Sequence, residues 1–186
     1  MDTSELRLKV LDDTVSVENF SCNKKPESDQ LENFLKVHAL DNQHKQLTVT
    51  YVALTEDDNP IAFFSIACAS IAVNNLEKKQ TSNLPGRDRY PAIYIGRFAV
   101  DDKYQNQGVG VWLMEQLFAR AINISFDVGC RYLIVQSKQT AKTFYEKKFG
   151  FSHAKDLDNG HVLYYKNMIT LTKDYIKDKT GKIHDK

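Results

Sequence analysis

The sequence predicts an α/β (α+β) protein in which strands and helices interleave along the chain. Three observations predict it. A strand-like run, Ile93 to Val100, passes through Gln105-Asn106-Gln107-Gly108-Val109-Gly110 into an amphipathic helix from Val111 to Ile124. Two apolar runs, Leu47 to Leu54 and Ile61 to Val73, flank the turn cluster Asp57-Asp58-Asn59-Pro60 and read as a hairpin. Beyond the helix come a strand, a short helix and two more strands.

Each element has its own reason. Leu6 to Leu11 alternates apolar and polar residues, the period of a half-buried strand. Leu31, Phe34, Leu35 and His38 share one face of a helix that Pro26 or Ser28 would start. Leu47 to Leu54 is rich in Thr, Val and Tyr, which suit a pleated surface. Ile61 to Val73 is continuously apolar and is expected to be buried on both faces. Asn74 to Arg89 is polar with Pro85-Gly86 inside it, hence a loop, or a short helix followed by a loop. Ala92 to Val100 is the next strand. In the following helix Leu113, Met114, Leu117, Phe118, Ala121 and Ile122 form one apolar stripe that belongs to the core. Arg131 to Gln136 is a strand, and Thr140 to Lys148 a short helix that ends before Gly150. Phe151 and His161 to Tyr165 mark the last strands, joined by a turn at Asp158-Asn159-Gly160. The tail from Lys173 is dense in Lys and Asp and is expected to be a frayed helix or disordered.

Composition narrows the class. The 186 residues suit a single domain spanning 1–186 with a core of its own. No apolar run reaches the ~20 residues of a membrane span. The first residues, Met1-Asp2-Thr3-Ser4-Glu5, lack a basic-then-apolar leader. Cys22, Cys68 and Cys130 are odd in number and widely spaced, which fits reduced thiols in a cytoplasm better than a disulfide framework or a zinc site. The five histidines show no pairing spacing, and no metal site is expected. Net charge is +1, unevenly spread: residues 1–60 carry 6 Lys/Arg against 12 Asp/Glu, and residues 61–186 carry 19 against 12. The glycine loop falls in the basic part, which would draw an anion toward it.

The loop has a physical logic. Glycines let the main chain approach an anion closely. The helix beyond adds unpaired N–H groups and the positive end of its dipole. A tight turn is the plainer reading of Gly-x-Gly. No third glycine follows at Leu113 and no Gly-Lys-Ser/Thr is present, so dinucleotide binding and a nucleotide-hydrolysing phosphate loop lose their support.

Taken together, the segments resemble the GNAT acetyltransferase superfamily. The loop 105–110 looks like that family's Gln/Arg-x-x-Gly-x-Gly/Ala motif. Gly96-Arg97-Phe98-Ala99-Val100-Asp101 looks like the strand before it. Ala141-Lys142-Thr143-Phe144-Tyr145-Glu146-Lys147 with Phe149-Gly150-Phe151 looks like its Ala-x-x-hydrophobic-Tyr-Glu-Lys-x-Gly-Phe segment. More narrowly, Arg89-Tyr90-Pro91, Gly96 to Asp101, Tyr104-Gln105, Phe20-x-Cys22 and Leu31 to Leu35 resemble the GNAT toxins of bacterial toxin–antitoxin pairs, which acetylate the α-amine of aminoacyl-tRNA. Lys138 stands where many family members carry Asn.

The resemblance implies a central mixed, mostly antiparallel sheet of six to seven strands flanked by helices. It implies an N-acetyltransferase that moves an acetyl group from acetyl-CoA to a primary amine without a metal. Main-chain groups of Phe98, Ala99 and Val100 would pair with the pantetheine arm and offer an N–H to the thioester oxygen. Gln105, Asn106, Gln107, Gly108, Val109 and Gly110 would hold the pyrophosphate, with Phe144 beside the cofactor. Tyr145 would be the general acid: a phenol of pKa ~10 can hand a proton to a departing thiolate whose thiol lies at ~8.5. Glu77, Asp88 and Asp101 are the carboxylates available as base, though each reads first as a solvated surface charge. The acceptor is aminoacyl-tRNA if the toxin resemblance holds, with a ribbon-helix-helix antitoxin and a homodimer as associated expectations. A small-molecule or protein amine is the second reading, and a non-catalytic acyl-CoA-binding module the third.

Overall fold

The computed structural model describes residues 1–22, 24 and 29–184. Pro26 and Ser28, the expected helix start, lie outside them. β1 (Arg7–Val10) is followed by α1 (Asp29–Asn33), a π-helical turn (Phe34–His38) and α2 (Ala39–His44). Then come β2 (Val49–Leu54), β3 (Pro60–Ala72), α3 (Lys78–Thr81), β4 (Arg89–Val100) and α4 (Val109–Val128). β5 (Tyr132–Lys138), a π-helical segment (Thr143–Lys148), β6 (Ser152–Asp156), β7 (His161–Asn167) and α5 (Met168–His184) complete the chain. The seven strands form one sheet in the order β1-β2-β3-β4-β5-β7-β6, with antiparallel pairing of β1 with β2, β2 with β3, β5 with β7 and β7 with β6. The connection from β4 to β5 runs through α4. The fold class expected from sequence is borne out.

Two compact units divide the chain. Unit 1 comprises residues 1–67 and 95–117; unit 2 comprises 68–94 and 118–186. In unit 1, one sheet face buries Val52, Leu54 and Phe63 against Phe20, Phe34 and Leu35. The Phe63 ring meets Phe20 edge-on at 5.4 Å and stacks with Phe34 at 6.1 Å. Leu113, Met114 and Leu117 of α4 are buried as expected. The hairpin turn closes through Asp58, whose φ is +62°. β3 is continuously buried only from Pro60 to Ile66; Cys68, further along, is exposed, so burial on both faces holds for its first half alone.

In unit 2 the core is aromatic. Tyr132 meets Tyr90 at 6.2 Å and Tyr165 at 5.9 Å, both edge-on. Their hydroxyls hold the polar segment between β3 and β4: Tyr90 donates to the Pro85 carbonyl at 2.6 Å, Tyr132 donates to the Gln80 carbonyl at 3.0 Å, and Tyr165 accepts from the Glu77 N–H at 3.5 Å. A segment that reads as a loop is thus anchored by side chains far away in sequence. Residues 173–184 continue helix α5. No helix of the described residues is long and apolar enough to cross a membrane.

Charge follows the units and not the sequence halves. Unit 1 carries 8 Lys/Arg against 15 Asp/Glu, and unit 2 carries 17 against 9. The glycine loop therefore sits in the acidic unit. The expected attraction of an anion to a basic half around the loop is corrected: residues 95–117 fold with the acidic N-terminal segment.

Candidate active site

The chain runs from the end of β4 into α4 through a closely braced turn. The Asp101 carbonyl accepts from the Tyr104 N–H at 2.9 Å, and its side chain accepts from the Lys103 N–H at 2.8 Å. Gln105 Nε2 donates to the Val100 carbonyl at 3.1 Å and to Asp102 Oδ1 at 2.9 Å. Gln107 Nε2 donates to the Lys103 carbonyl at 2.7 Å. Both glutamines turn back on the loop and hold its shape. Asn106 and Gly108 have left-handed backbones, at φ +60° and +90°. A Cβ on Gly108 would meet no atom within 4 Å, so that side of the loop is open to a ligand. The Gly108 carbonyl accepts from the N–H groups of Val111 and Trp112, at 2.9 and 3.1 Å. The N–H groups of Val109 and Gly110 stand ahead of these first helical bonds, as donors at the positive end of a twenty-residue helix. This loop can bind phosphate through its main chain.

Of the β4 residues expected to face a cofactor arm, Ala99 is buried in the unit 1 core, while Phe98 and Val100 are half-buried. The Val100 carbonyl is already tied to Gln105. Arg97, between them and Gly96, lays its guanidinium over the Phe34 ring at 5.2 Å.

In unit 2, Tyr145 sits on the π-helical segment with its side chain buried. Its ring is enclosed by Phe144 at 5.2 Å, Phe151 at 5.5 Å and Tyr164, stacked at 5.8 Å. Phe144 also packs on Phe149 at 4.9 Å, so its ring helps wall in Tyr145. Burial lifts the Tyr145 phenol well above its ordinary pKa; a hydrogen bond with Ser137 pulls it back, and the neighbouring Tyr94 and Tyr164 add to the rise. The phenol therefore holds its proton, the state a general acid needs. The helix end is fixed by nested bonds, Phe151 N–H to the Tyr145 carbonyl and Gly150 N–H to the Glu146 carbonyl, both 3.0 Å. Gly150 takes the left-handed turn at φ +63°. Lys166 Nζ donates to the Phe149 carbonyl at 2.8 Å. Burial lowers the pKa of that ammonium.

The carboxylates named as candidate bases separate clearly. Asp101 is 2% exposed, which corrects its reading as a solvated charge. Glu77 pairs with Lys79 at 2.6 Å, and Asp88 is exposed. His153 Nε2 lies 3.1 Å from Asp156 Oδ1 at a largely exposed position. Cys22, Cys68 and Cys130 form no disulfide; burial and nearby carboxylates push the Cys22 thiol up to about 12, so it stays protonated. Among the described residues no group of three or more His, Cys, Asp or Glu is arranged to hold a metal. Lys138, the departure from the family pattern, ends β5 just before the turn Gln139–Ala141. Sequence reasoning missed Ser137 and Lys166 altogether.

The strand order and the turn after β4 suit the fold and phosphate loop that the GNAT resemblance implies. Comparison makes the assignment particular. Residues 15–151 match the family described as the acetyltransferase (GNAT) family, and the chain belongs to it. It is an acetyl-CoA-dependent N-acetyltransferase. Among curated proteins it is similar to a tRNA-acetylating toxin of Mycobacterium tuberculosis (strain ATCC 25618 / H37Rv), 28% identical over 116 residues, which are 62% of this chain and 68% of the toxin. Among solved structures it shares its fold with a tyrosine-to-phenylalanine mutant of KacT, at TM-score 0.80 and 22% identity, covering 91% of this chain and 98% of that one. It shares it also with AtaT complexed with acetyl-methionyl-tRNAfMet, at TM-score 0.79 and 20% identity, covering 91% and 99%.

Proposed function

We propose that the acceptor is the α-amine of aminoacyl-tRNA and that the protein is the toxin of a toxin–antitoxin pair. The observation that carries this reading is the charge partition. The unit bearing Tyr145 holds 17 Lys/Arg against 9 Asp/Glu, as a partner with a phosphate backbone requires, although the whole chain is almost neutral. The similarity to a tRNA-acetylating toxin supports it independently.

In this reading acetyl-CoA supplies the acetyl group as a thioester. The N–H groups from Gly108 to Gly110 donate to its pyrophosphate, with Gln105, Asn106, Gln107 and Val109 shaping the cradle. Main-chain groups of Phe98, Ala99 and Val100 align the pantetheine arm, and Phe144 lies beside the cofactor while it walls in Tyr145. Tyr145 holds the proton for the departing sulfur, and Ser137 orients the phenol. The candidate bases favour an aminoacyl ester over an ordinary amine. Its amine is far less basic than a lysine or a polyamine, so it needs no strong base. Glu77 is engaged by Lys79, and both oxygens of Asp101 are engaged by main-chain N–H groups.

The same reading places the protein in the cytoplasm as a single domain, as a homodimer with a ribbon-helix-helix antitoxin. The fold neighbours include AtaT bound to the C-terminus of its antitoxin AtaR and a KacTA–DNA complex. The test is transfer of labelled acetyl from acetyl-CoA into a mixed pool of aminoacyl-tRNA, polyamines and protein. Label is expected in the RNA fraction, with a rate that falls steeply as salt rises. Label in polyamines or protein alone would overturn the acceptor assignment and leave the transferase in place.

A further inference from the structure

Asp101 is the one carboxylate buried among the described residues, and the transfer chemistry leaves it without a role. Its Oδ2 accepts from the Ser21 N–H at 2.8 Å, across eighty residues of sequence. Its Oδ1 accepts from the Lys103 N–H at 2.8 Å, its own N–H donates to the Ile61 carbonyl at 2.8 Å, and its carbonyl accepts from the Tyr104 N–H at 2.9 Å. One residue thus ties together the start of β3, the first turn of the phosphate loop and the segment before α1. Its neighbour repeats the pattern. Asp102 N–H donates to the Ser21 carbonyl at 2.8 Å, and Asp102 Oδ2 accepts from the Lys24 N–H at 3.0 Å. Asp102 Oδ1 meanwhile accepts from Gln105 inside the loop. On the far side, Cys22 N–H donates to Glu32 Oε2 of α1 at 3.1 Å. An unbroken series of main-chain and carboxylate bonds therefore runs from the phosphate loop through Ser21 and Cys22 to the first helix.

A carboxylate out of water is costly unless its oxygens are well paired. Hydrogen bonds from N–H groups to an ionised oxygen are among the stronger ones in proteins. Asp101 meets that demand only while the Ser21 segment and the loop both keep their present conformations. Movement of either strands a charge, so the two are bound to move together.

We propose that Asp101 is a positioning residue that sets the phosphate loop and couples its occupancy to the Ser21–Cys22 segment and α1. Binding of coenzyme A at the loop rigidifies that segment, and loosening the segment weakens coenzyme A. This rests on the loop being the pyrophosphate site, and it adds a conformational link that the site alone does not require.

The test uses coenzyme A, which carries the pyrophosphate and undergoes no turnover. Its affinity is read from the fluorescence of Trp112, the single tryptophan, whose main-chain N–H donates to the Gly108 carbonyl. Asp101→Asn keeps the shape and removes the charge. Its Kd for coenzyme A is expected to rise by roughly tenfold, the loss of one charge-assisted hydrogen bond, while kcat at saturating acetyl-CoA falls much less. In the unaltered protein, saturating coenzyme A is expected to slow hydrogen exchange at the Ser21 amide. Wild-type affinity in Asp101→Asn would overturn the proposal, and so would a fall in kcat with Kd unchanged, which would put Asp101 in the chemistry. If Asp101→Asn does not fold, exchange at Ser21 decides alone: an unchanged rate on ligand binding overturns the coupling. A wild-type protein that does not bind coenzyme A would instead refute the pyrophosphate assignment.

Discussion

The two functional regions are built by opposite means. The loop from Asp101 to Gly110 is made of main chain: its donors are N–H groups, its openness comes from a glycine, and its glutamine side chains face inward as braces. The Tyr145 region is made of side chains, with one phenol enclosed by three aromatic rings. The first lies in an acidic unit and the second in a basic one. The difference teaches that the loop's open main-chain donors come from local backbone geometry and not from net charge. It also separates the mutations that should matter. In the Tyr145 region, deleting one atom should be decisive; in the loop, only changes to the backbone should be.

The largest expected effect is therefore Tyr145→Phe. Removing the proton donor should lower kcat by about 10²-fold or more, with coenzyme A affinity unchanged, because general acid–base groups contribute on that scale. A steady-state comparison with a direct binding measurement checks it, and an equal loss of affinity would break the separation between the regions. The raised phenol pKa adds a pH signature. A group whose folded pKa is raised contributes stability that is full below its unfolded pKa, about 10 for a phenol, and lost as pH climbs toward the folded value. Alkaline titration of stability should show that loss in the wild type and less of it in Tyr145→Phe. The rate should likewise show no descending limb from this phenol below pH ~10.

Next in size is Gly108→Val. No atom of the described residues lies where the new Cβ would go, so internal clash is not the cause. The cost comes from holding a β-branched residue at φ +90°, of the order of 1–3 kcal/mol, and from filling the open side of the loop. Coenzyme A affinity should fall by at least tenfold, read by Trp112 fluorescence, while Tyr145 keeps its high pKa. Gly108→Ala sharpens the result, since it keeps most of the strain and adds less bulk.

What was legible in the sequence follows the same division. Strands and helices were readable because apolar spacing reports local burial; every residue of the α4 stripe from Leu113 to Ile122 is buried. The shape of the loop was readable because glycine at a strand–helix junction has a geometric meaning, and Gly108 takes the left-handed turn. Tyr145 stood out only within its matched segment, since a lone tyrosine carries no such meaning, and its role as acid is a proposal. The supports were not readable. Ser21 and Asp101 meet across eighty residues, and Ser137 and Lys166 act through contacts that no spacing announces. The charge partition was hidden for a related reason. Residues 95–117 fold with the first 67, so dividing the sequence at residue 60 put the glycine loop on the wrong side of the balance.

The smallest predicted effect is the sharpest test of the comparison. Gln107 lies inside the phosphate motif, and a reading by motif alone would give its amide to the ligand. The structure gives that amide to the Lys103 carbonyl at 2.7 Å, on an exposed stretch of the loop. A hydrogen bond there is worth about 0.5–1.5 kcal/mol, at the lower end when water can replace it. Gln107→Ala should therefore weaken coenzyme A only about twofold to threefold, through a slightly looser loop. The double variant with Gly108→Val should show less than the sum, because the loop is already displaced. A tenfold loss in Gln107→Ala would mean that the side chain reaches the ligand, and the loop would then be no more a main-chain device than the Tyr145 region is.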